Sequence, residues 1–177
     1  MRFIVPSAAC GGTDIIARAI SLKLAESLGQ QFVVDNRPGA GQMIGIELAA
    51  RSPADGYTIL MAASTLAINP IMYKKVSYHP LRDFAPVTQA ETLPNVLVVH
   101  PSLPVKSVAE LIAYAKARPG QLNFASAGIG TSPQMSIELL KSMASSASFF
   151  VSSSPSTASK YCFCSSTYVL IGTAPSR

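Results

Sequence analysis

The sequence predicts an α/β protein, because short apolar runs alternate with longer amphipathic segments along most of the chain. Residues 3–5 and 57–62 are apolar runs typical of buried strands, and small residues and a helical pattern follow each of them. A corner of strand, small-residue loop and helix occurs twice, at residues 3–18 and 122–143. Alternation of this kind favours right-handed βαβ units on a parallel sheet.

The first corner carries the clearest functional signal. Pro6 ends the strand, Gly11–Gly12 permits a tight bend, and Thr13–Asp14 supplies residue types that favour a helix start. The helical pattern continues to Leu28, and Gly29 is a typical stop. A helix that starts in this way presents free backbone N–H groups at the positive end of its dipole, so the corner predicts an anion site.

The middle of the chain continues the alternation. Tyr57–Ala62 is apolar enough to be a central strand. Ser64 and Thr65 follow it at the carboxyl edge, where open α/β sheets bind ligands. The two hydroxyls either bind the same ligand or cap a short helix at 68–73. Further predicted elements are a strand at 32–34, a helix at 42–51, strands at 85–91 and 95–100, and a helix at 105–118 with a Ser107–Glu110 capping box.

The second corner begins with a strand at 122–125 and continues in the loop 126–132. Pro133 lies where a first helical residue is favoured, and the pattern behind it predicts a buried stripe of Met135, Leu139, Leu140 and Met143. We expect the two loops to face one ligand. Each loop alone is also compatible with a plain βα turn, because neither has the dinucleotide spacing G-x-G-x-x-G or the Gly-Lys-Ser/Thr of a phosphate loop.

Composition excludes several classes of function. The net charge of +5 is scattered over 177 residues without a basic stripe, so we expect no nucleic-acid partner. Cys10, Cys162 and Cys164 have poor spacing for zinc, and we expect no metal and no cofactor. No run of about 18 apolar residues predicts a membrane span. Met1 leads straight into the first strand, which taken alone predicts a cytoplasmic chain or a mature or truncated form.

The last part of the chain differs in composition. Residues 145–177 contain 11 serines, and the helical periodicity is lost after Ala144. We expect a low-complexity tail without a site rather than a third lobe.

Four stretches carry a family resemblance: IVPSAACGGTDIIAR, VVDNRPGAGQMIGIELAARSPADGYTIL, INPIMYKKVSYHPLRDFAPV and PNVLVVHPSLPVKSVAELIAYAKARPGQLNFASAGIGTSPQMSIELLKSMA. With them the chain resembles the extracytoplasmic solute-binding receptors of tripartite tricarboxylate transporters, the Bug (TctC) family, over residues 3–144. The resemblance implies a periplasmic-binding-protein-like type II fold, with a parallel or mixed sheet, helices on both faces and an incomplete second lobe. The implied limits are 1–98 for the first lobe, 99–144 for the start of the second, and 145–177 for a tail outside the family pattern.

The resemblance also implies a function. A small carboxylate would be the ligand, the membrane subunits of the transporter would be the partners, and the protein would be a periplasmic monomer without enzymatic activity. Backbone amides and small hydroxyls of the loops 8–14 and 126–132 would form the site, with Ser64 and Ala67 nearby. The ligand-binding residues predicted in this way are Ala9, Cys10, Gly12, Thr13, Asp14, Ser64, Ser126, Gly128, Gly130, Thr131 and Ser132.

Two alternatives remain open from the sequence. A doubly wound enzyme would hold phosphate at the first loop and use Asp14 or Cys10 for chemistry, although no base is paired with Cys10 in the sequence. A non-functional fragment, truncated or frameshifted near Ala144, is the other.

Overall fold

The computed structural model describes residues 1–92, 94–119, 122–125, 130–143, 149–152, 161–164 and 167–173. Contacts divide the chain into two units. The first comprises Met1–Thr92 and Thr167–Arg177, and the second comprises Leu93–Ser166. The second unit is therefore inserted between two segments of the first.

The described elements alternate along the chain as the sequence predicts. In chain order they are β1 (Arg2–Val5), α1 (Gly12–Leu28), β2 (Val33–Asn36), a 3-10 turn (Ala40–Gln42), α2 (Met43–Ala50), β3 (Thr58–Ala62), α3 (Thr65–Met72), β4 (Phe84–Thr92), β5 (Val96–Val99), α4 (Val108–Ala117), β6 (Leu122–Ala125), α5 (Ser132–Met143), β7 (Phe149–Ser152), β8 (Tyr161–Cys164) and β9 (Thr167–Thr173).

The first unit is built on a five-stranded mixed sheet in the order β2-β1-β3-β9-β4. β1 pairs in parallel with β2 and β3, whereas β9 is antiparallel to both β3 and β4. The face covered by α1 holds a buried cluster of Phe3, Val5, Ala17 and Met61. The opposite face, covered by α2 and α3, holds a buried cluster that includes Ile4, Ile46, Leu60 and Leu66. The α/β prediction with helices on both faces is confirmed, and β3 is central.

Local signals explain where the helices begin and end. Gly29 adopts φ 62°, and its N–H donates to the carbonyl of Ala25 at 3.0 Å, which ends α1 at the predicted residue. At the start of α4, the hydroxyl of Ser107 accepts from the N–H of Glu110 at 3.2 Å. The Glu110 carboxylate accepts from the N–H of Lys106 rather than from that of Ser107, so the predicted capping box is displaced by one residue.

The second unit is built on a four-stranded sheet in the order β5-β8-β6-β7. β5 is antiparallel to β8, and β6 is parallel to β7 and β8. The buried cluster of this unit consists of Leu103, Val105, Leu111, Ala115, Leu122 and Ile137.

The predicted buried stripe of α5 is wrong in part. Leu139 and Met143 are 61% and 76% exposed, whereas Pro133 and Ile137 are buried and Leu140 packs against the core of the unit. Residues four and three apart share one face of a helix, so Pro133, Ile137 and Leu140 lie together. The predicted stripe lay on a neighbouring face.

The serine-rich range 145–177 also differs from its expectation, because β7, β8 and β9 all lie in it. β9 lies between β3 and β4, where Ile171 is opposite Leu60 and is buried. The apolar run of β9 is short, and the serines on either side of it obscure the strand in the sequence.

The limits of the two units also differ from the expected boundary. β5 belongs to the second sheet, so the two units divide before residue 98. The limits 1–98, 99–144 and 145–177 stay a prediction for the functional lobes.

Within the described ranges, no helix combines the length and the apolar character that crossing a bilayer requires.

We expect Gly45→Ala to destabilise the first unit by about 1–3 kcal/mol, as overpacking does. A Cβ atom at Gly45 would lie 2.7 Å from the Cβ atom and 2.8 Å from the Cα atom of Pro6, so α2 or the end of β1 must move. Urea unfolding checks this. Gly172→Ala is the control, because its nearest neighbour would lie at 3.8 Å, and we expect a change within about 0.5 kcal/mol. Equal stability of the Gly45 variant and the native chain would contradict the prediction.

Candidate functional site

The candidate site of the first unit lies at the carboxyl edge of its parallel strands. Val5 is opposite Asn36, and Ile4 is opposite Leu60, so β1, β2 and β3 end at the same edge. α1 and α2 cover opposite faces, so the winding of the chain reverses between β1 and β3. Such a reversal is where open α/β sheets bind ligands. The loop after β1 and the start of α3 both lie at this edge.

The start of α1 presents backbone donors. Its first helical hydrogen bond runs from the N–H of Ile15 to the carbonyl of Gly11 at 3.0 Å. Among the described residues, no acceptor takes the N–H groups of Gly12, Thr13 or Asp14. Gly12 is exposed, and a Cβ atom there would meet no heavy atom within 4 Å. These amides at the positive end of a helix dipole can hold an anion.

Asp14 anchors this corner. Its side chain is only 2% exposed, and both of its oxygens accept hydrogen bonds. Oδ2 accepts from the N–H of Cys10 at 2.8 Å and from Nε of Arg18 at 2.9 Å, and Oδ1 accepts from Nδ2 of Asn36 at 2.9 Å. Cys10 has φ 64°, a left-handed conformation that is uncommon for a residue with a side chain. The carboxylate therefore fixes the turn that leads into α1.

Asn36 connects the end of β2 to the same corner. Its Nδ2 also donates to the carbonyl of Ser7 at 3.2 Å, and its Oδ1 accepts from Arg18 at 3.2 Å. Sequence reasoning missed both Arg18 and Asn36. The four-residue spacing of Asp14 and Arg18 on one helix is a signal that could have found the first of them.

The charge of Asp14 is stabilised by its donors. The hydrogen bond from Arg18 is the main cause that lowers the pKa of Asp14 from 3.8 to about 2, and burial works in the opposite direction. The carboxylate is therefore ionised at neutral pH. Arg18 donates to Asp14 and to Asn36, so its guanidinium is engaged within the protein.

The two hydroxyls that follow β3, those of Ser64 and Thr65, differ in burial and in hydrogen bonding at the start of α3. Ser64 is half-buried and is the N-cap residue of α3, but its side chain makes no capping hydrogen bond. Thr65 is fully buried, and its hydroxyl donates to Oε1 of Gln42, so it is committed within the protein. Ala67 is exposed one turn into the helix. Only Ser64 keeps the properties expected of a ligand-facing hydroxyl.

The second corner is described from Gly130 onward, and Ser126 and Gly128 lie outside the described residues. Gly130 is buried with φ 79°, and its N–H donates to Oε1 of Gln134 at 2.6 Å. The carbonyl of Thr131 accepts from the N–H of Met135 at 3.0 Å. The hydroxyl of Ser132 is half-buried and lies 3.4 Å from Nδ2 of Asn95. Gly130 therefore shapes the turn, and its own amide is occupied.

The remaining predicted residues lie at the surface of the first loop. Ala9 and Cys10 are exposed, and Cys10 is a free thiol. In the described part of the chain, no group of three or more His, Cys, Asp or Glu side chains could hold a metal ion.

Comparison with known sequences identifies relatives. The sequence profile of the tripartite tricarboxylate transporter family receptor (TctC) matches residues 16–152. The UPF0065 protein of the tcbD-tcbE intergenic region of Pseudomonas sp. (strain P51) is 45% identical over 144 residues, which cover 81% of this chain and 43% of that protein. Protein BugT of Bordetella pertussis is 41% identical over 143 residues, which cover 80% and 44%. The chain thus spans less than half the length of the curated relatives it matches.

Solved structures share the fold. A Rhodopseudomonas palustris protein determined with adipate has a TM-score of 0.87 and 26% identity, with all of this chain and 77% of that chain covered. MatC from Rhodopseudomonas palustris with bound malate has a TM-score of 0.76 and 27% identity, with 94% and 60% covered. The periplasmic binding protein BugD has a TM-score of 0.76 and 25% identity, with 98% and 58% covered. The type II fold prediction is confirmed.

We expect Asp14→Asn to lower the stability of the first unit by about 2 kcal/mol at neutral pH. The folded pKa of Asp14 is about 2 and the ordinary value is 3.8, so its contribution is fully present above pH 4 and is lost as the pH falls through 2. Urea unfolding between pH 2 and pH 7 measures this. The variant should show a shallower loss of stability over that interval. Glu26→Gln, in an exposed pair with Lys23, is the control and should leave the profile unchanged within about 0.5 kcal/mol. An unaltered profile in the Asp14 variant would refute the anchoring role.

Proposed function

The chain belongs to the family of tripartite tricarboxylate transporter receptors, and we propose that it captures a small organic carboxylate. The observation that carries the proposal is the set of amides at the start of α1 that have no acceptor in the described part of the chain, at the sheet edge where ligands bind in such folds. Two structural relatives are described with adipate and with malate, which are both carboxylates. The enzyme alternative is not favoured, because the matching family is one of receptors.

In this proposal, the amides of Gly12 and Thr13 donate to one carboxylate group of the ligand. Each such charge-assisted hydrogen bond contributes about 1.5–3 kcal/mol. The hydroxyl of Ser64 and the exposed residues Ala9 and Cys10 complete the edge of the site in this proposal. Asp14 acts through the turn it fixes, because its two oxygens already accept three hydrogen bonds.

The second corner contributes in the same proposal. Ser126, Gly128, Thr131 and Ser132 are its ligand-binding residues, and Gly130 provides the turn before α5. That the two loops contact one ligand stays a prediction. A location in the periplasm, action as a monomer and partnership with the membrane subunits of a tripartite tricarboxylate transporter are part of the proposal. Family membership supports the location and the partnership.

We expect Gly12→Pro to weaken carboxylate binding at least about tenfold relative to Gly12→Ala. Both variants add a Cβ atom, and only proline removes the N–H group. Proline is tolerated at the first position of a helix, and Gly11 before it is already extended, with φ −78° and ψ 165°. Calorimetry with adipate and malate measures the difference.

A panel of mono-, di- and tricarboxylates, titrated into the native chain, is the wider test. If none of them binds, the proposed function is wrong. Equal affinity of the two Gly12 variants would instead leave the function standing and remove the amide of Gly12 from the site.

A further inference from the structure

One segment of the first unit has an unusual backbone. In residues 36–45, which we call the bracket, four consecutive residues have positive φ: Gly39 (121°), Ala40 (47°), Gly41 (62°) and Gln42 (72°). Two of the four carry side chains, for which this conformation is unfavourable. Strained backbone persists only where surrounding contacts impose it, and it concentrates at functional sites.

The second half of the bracket is held by α3. The hydroxyl of Thr65 donates to Oε1 of Gln42, and Nδ2 of Asn69 donates to the carbonyl of Gly41 at 2.9 Å. Thr65 and Asn69 are one helical turn apart, and both are fully buried. Oδ1 of Asn69 is buried without a hydrogen-bond partner in the described chain. The side chain of Asn69 thus donates to the bracket, although its own Oδ1 has no partner among the described residues.

The first half of the bracket is held by the end of β1 and the loop that follows. The N–H of Arg37 donates to the carbonyl of Val5 at 2.8 Å, and Asn36 donates to the carbonyl of Ser7. Gly45 closes the bracket against Pro6, so closely that a Cβ atom would lie 2.7 Å from the Cβ atom of the proline. One short segment therefore contacts both the first loop and α3.

The polar contacts with α3 need their hydrogen bonds to offset the burial of a hydroxyl and an amide. They lie beside the buried apolar cluster that includes Leu66 and Tyr78, where apolar side chains would pack without desolvating a hydroxyl and an amide. The Tyr78 hydroxyl donates to the carbonyl of Leu66 at 3.1 Å, which further fixes the first turns of α3. Burial raises the pKa of Tyr78 to about 12, so this donor keeps its proton.

We infer that the bracket sets the spacing between the free amides of α1 and the first turn of α3, and so determines which carboxylate ligands fit. The inference rests on the proposed function for its ligand class. Thr65, Asn69 and Gln42 are positioning residues in it, because none of them needs to touch the ligand.

The test uses the 177-residue chain with Thr65→Val, which removes the hydroxyl at nearly constant volume, and Thr65→Ser, which restores it. Gln42→Met removes the acceptor of the same hydrogen bond, and it replaces Thr65→Val in the test if the valine variant does not fold. The first measurement is the amide resonances of Gly12 and Thr13 in the ligand-free protein. The second is the ratio of the dissociation constants for adipate and malate. Thr58→Val is the matched control, since Thr58 is a buried threonine at the opposite end of β3.

We expect Thr65→Val and Gln42→Met to shift both amide resonances and to change the ratio of dissociation constants at least about threefold. Thr65→Ser should restore both values, and Thr58→Val should alter neither. Unshifted resonances in the folded variants would overturn the inference, and so would shifted resonances with an unchanged ratio. If the native chain binds neither ligand, the proposed function fails for these probes, and the resonances alone decide whether the bracket sets the spacing.

Discussion

A single buried carboxylate organises the corner on which the first unit depends. Burying a charge is costly unless donors surround it, and Asp14 receives them from the loop after β1, from α1 and from the end of β2. The same contacts impose a left-handed turn at Cys10 and leave the first amides of α1 without acceptors among the described residues. Because Arg18 neutralises Asp14, the corner offers neutral dipoles rather than a free cation.

The loops at this edge of the sheet form a connected structure. The bracket contacts Val5, Ser7 and Pro6 on one side and α3 on the other. The bracket therefore forms an unbroken series of direct contacts between α3 and the first loop. The mild net charge of +5 adds a weak attraction for anions at long range.

The parts of the fold that depend on local pattern could be predicted from the sequence. The apolar runs of β1 and β3, the stop at Gly29 and the cap at Ser107 are read from neighbouring residues. The position of β9 could not, because its partners in β3 and β4 lie roughly 80 to 110 residues away in the chain and pairing of that kind leaves little local trace. The left-handed conformation of Ala40 and Gln42 was equally hidden, since the side chains that bind this segment, Thr65 on Gln42 and Asn69 on Gly41, lie 23 and 28 residues further along the chain. At the site, the glycine-rich corner was visible, whereas the roles of Arg18 and Asn36 appear only with their contacts.

The place of β9 in the sheet has a consequence for biosynthesis. During translation, β1 to β4 emerge from the ribosome well before the strand that separates β3 from β4. β9 can take its place only after the whole inserted unit, Leu93–Ser166, has been made. Until then, both flanking edges expose unpaired backbone groups that can recruit foreign strands. The first sheet therefore stays open to such pairing until β9 has been synthesised.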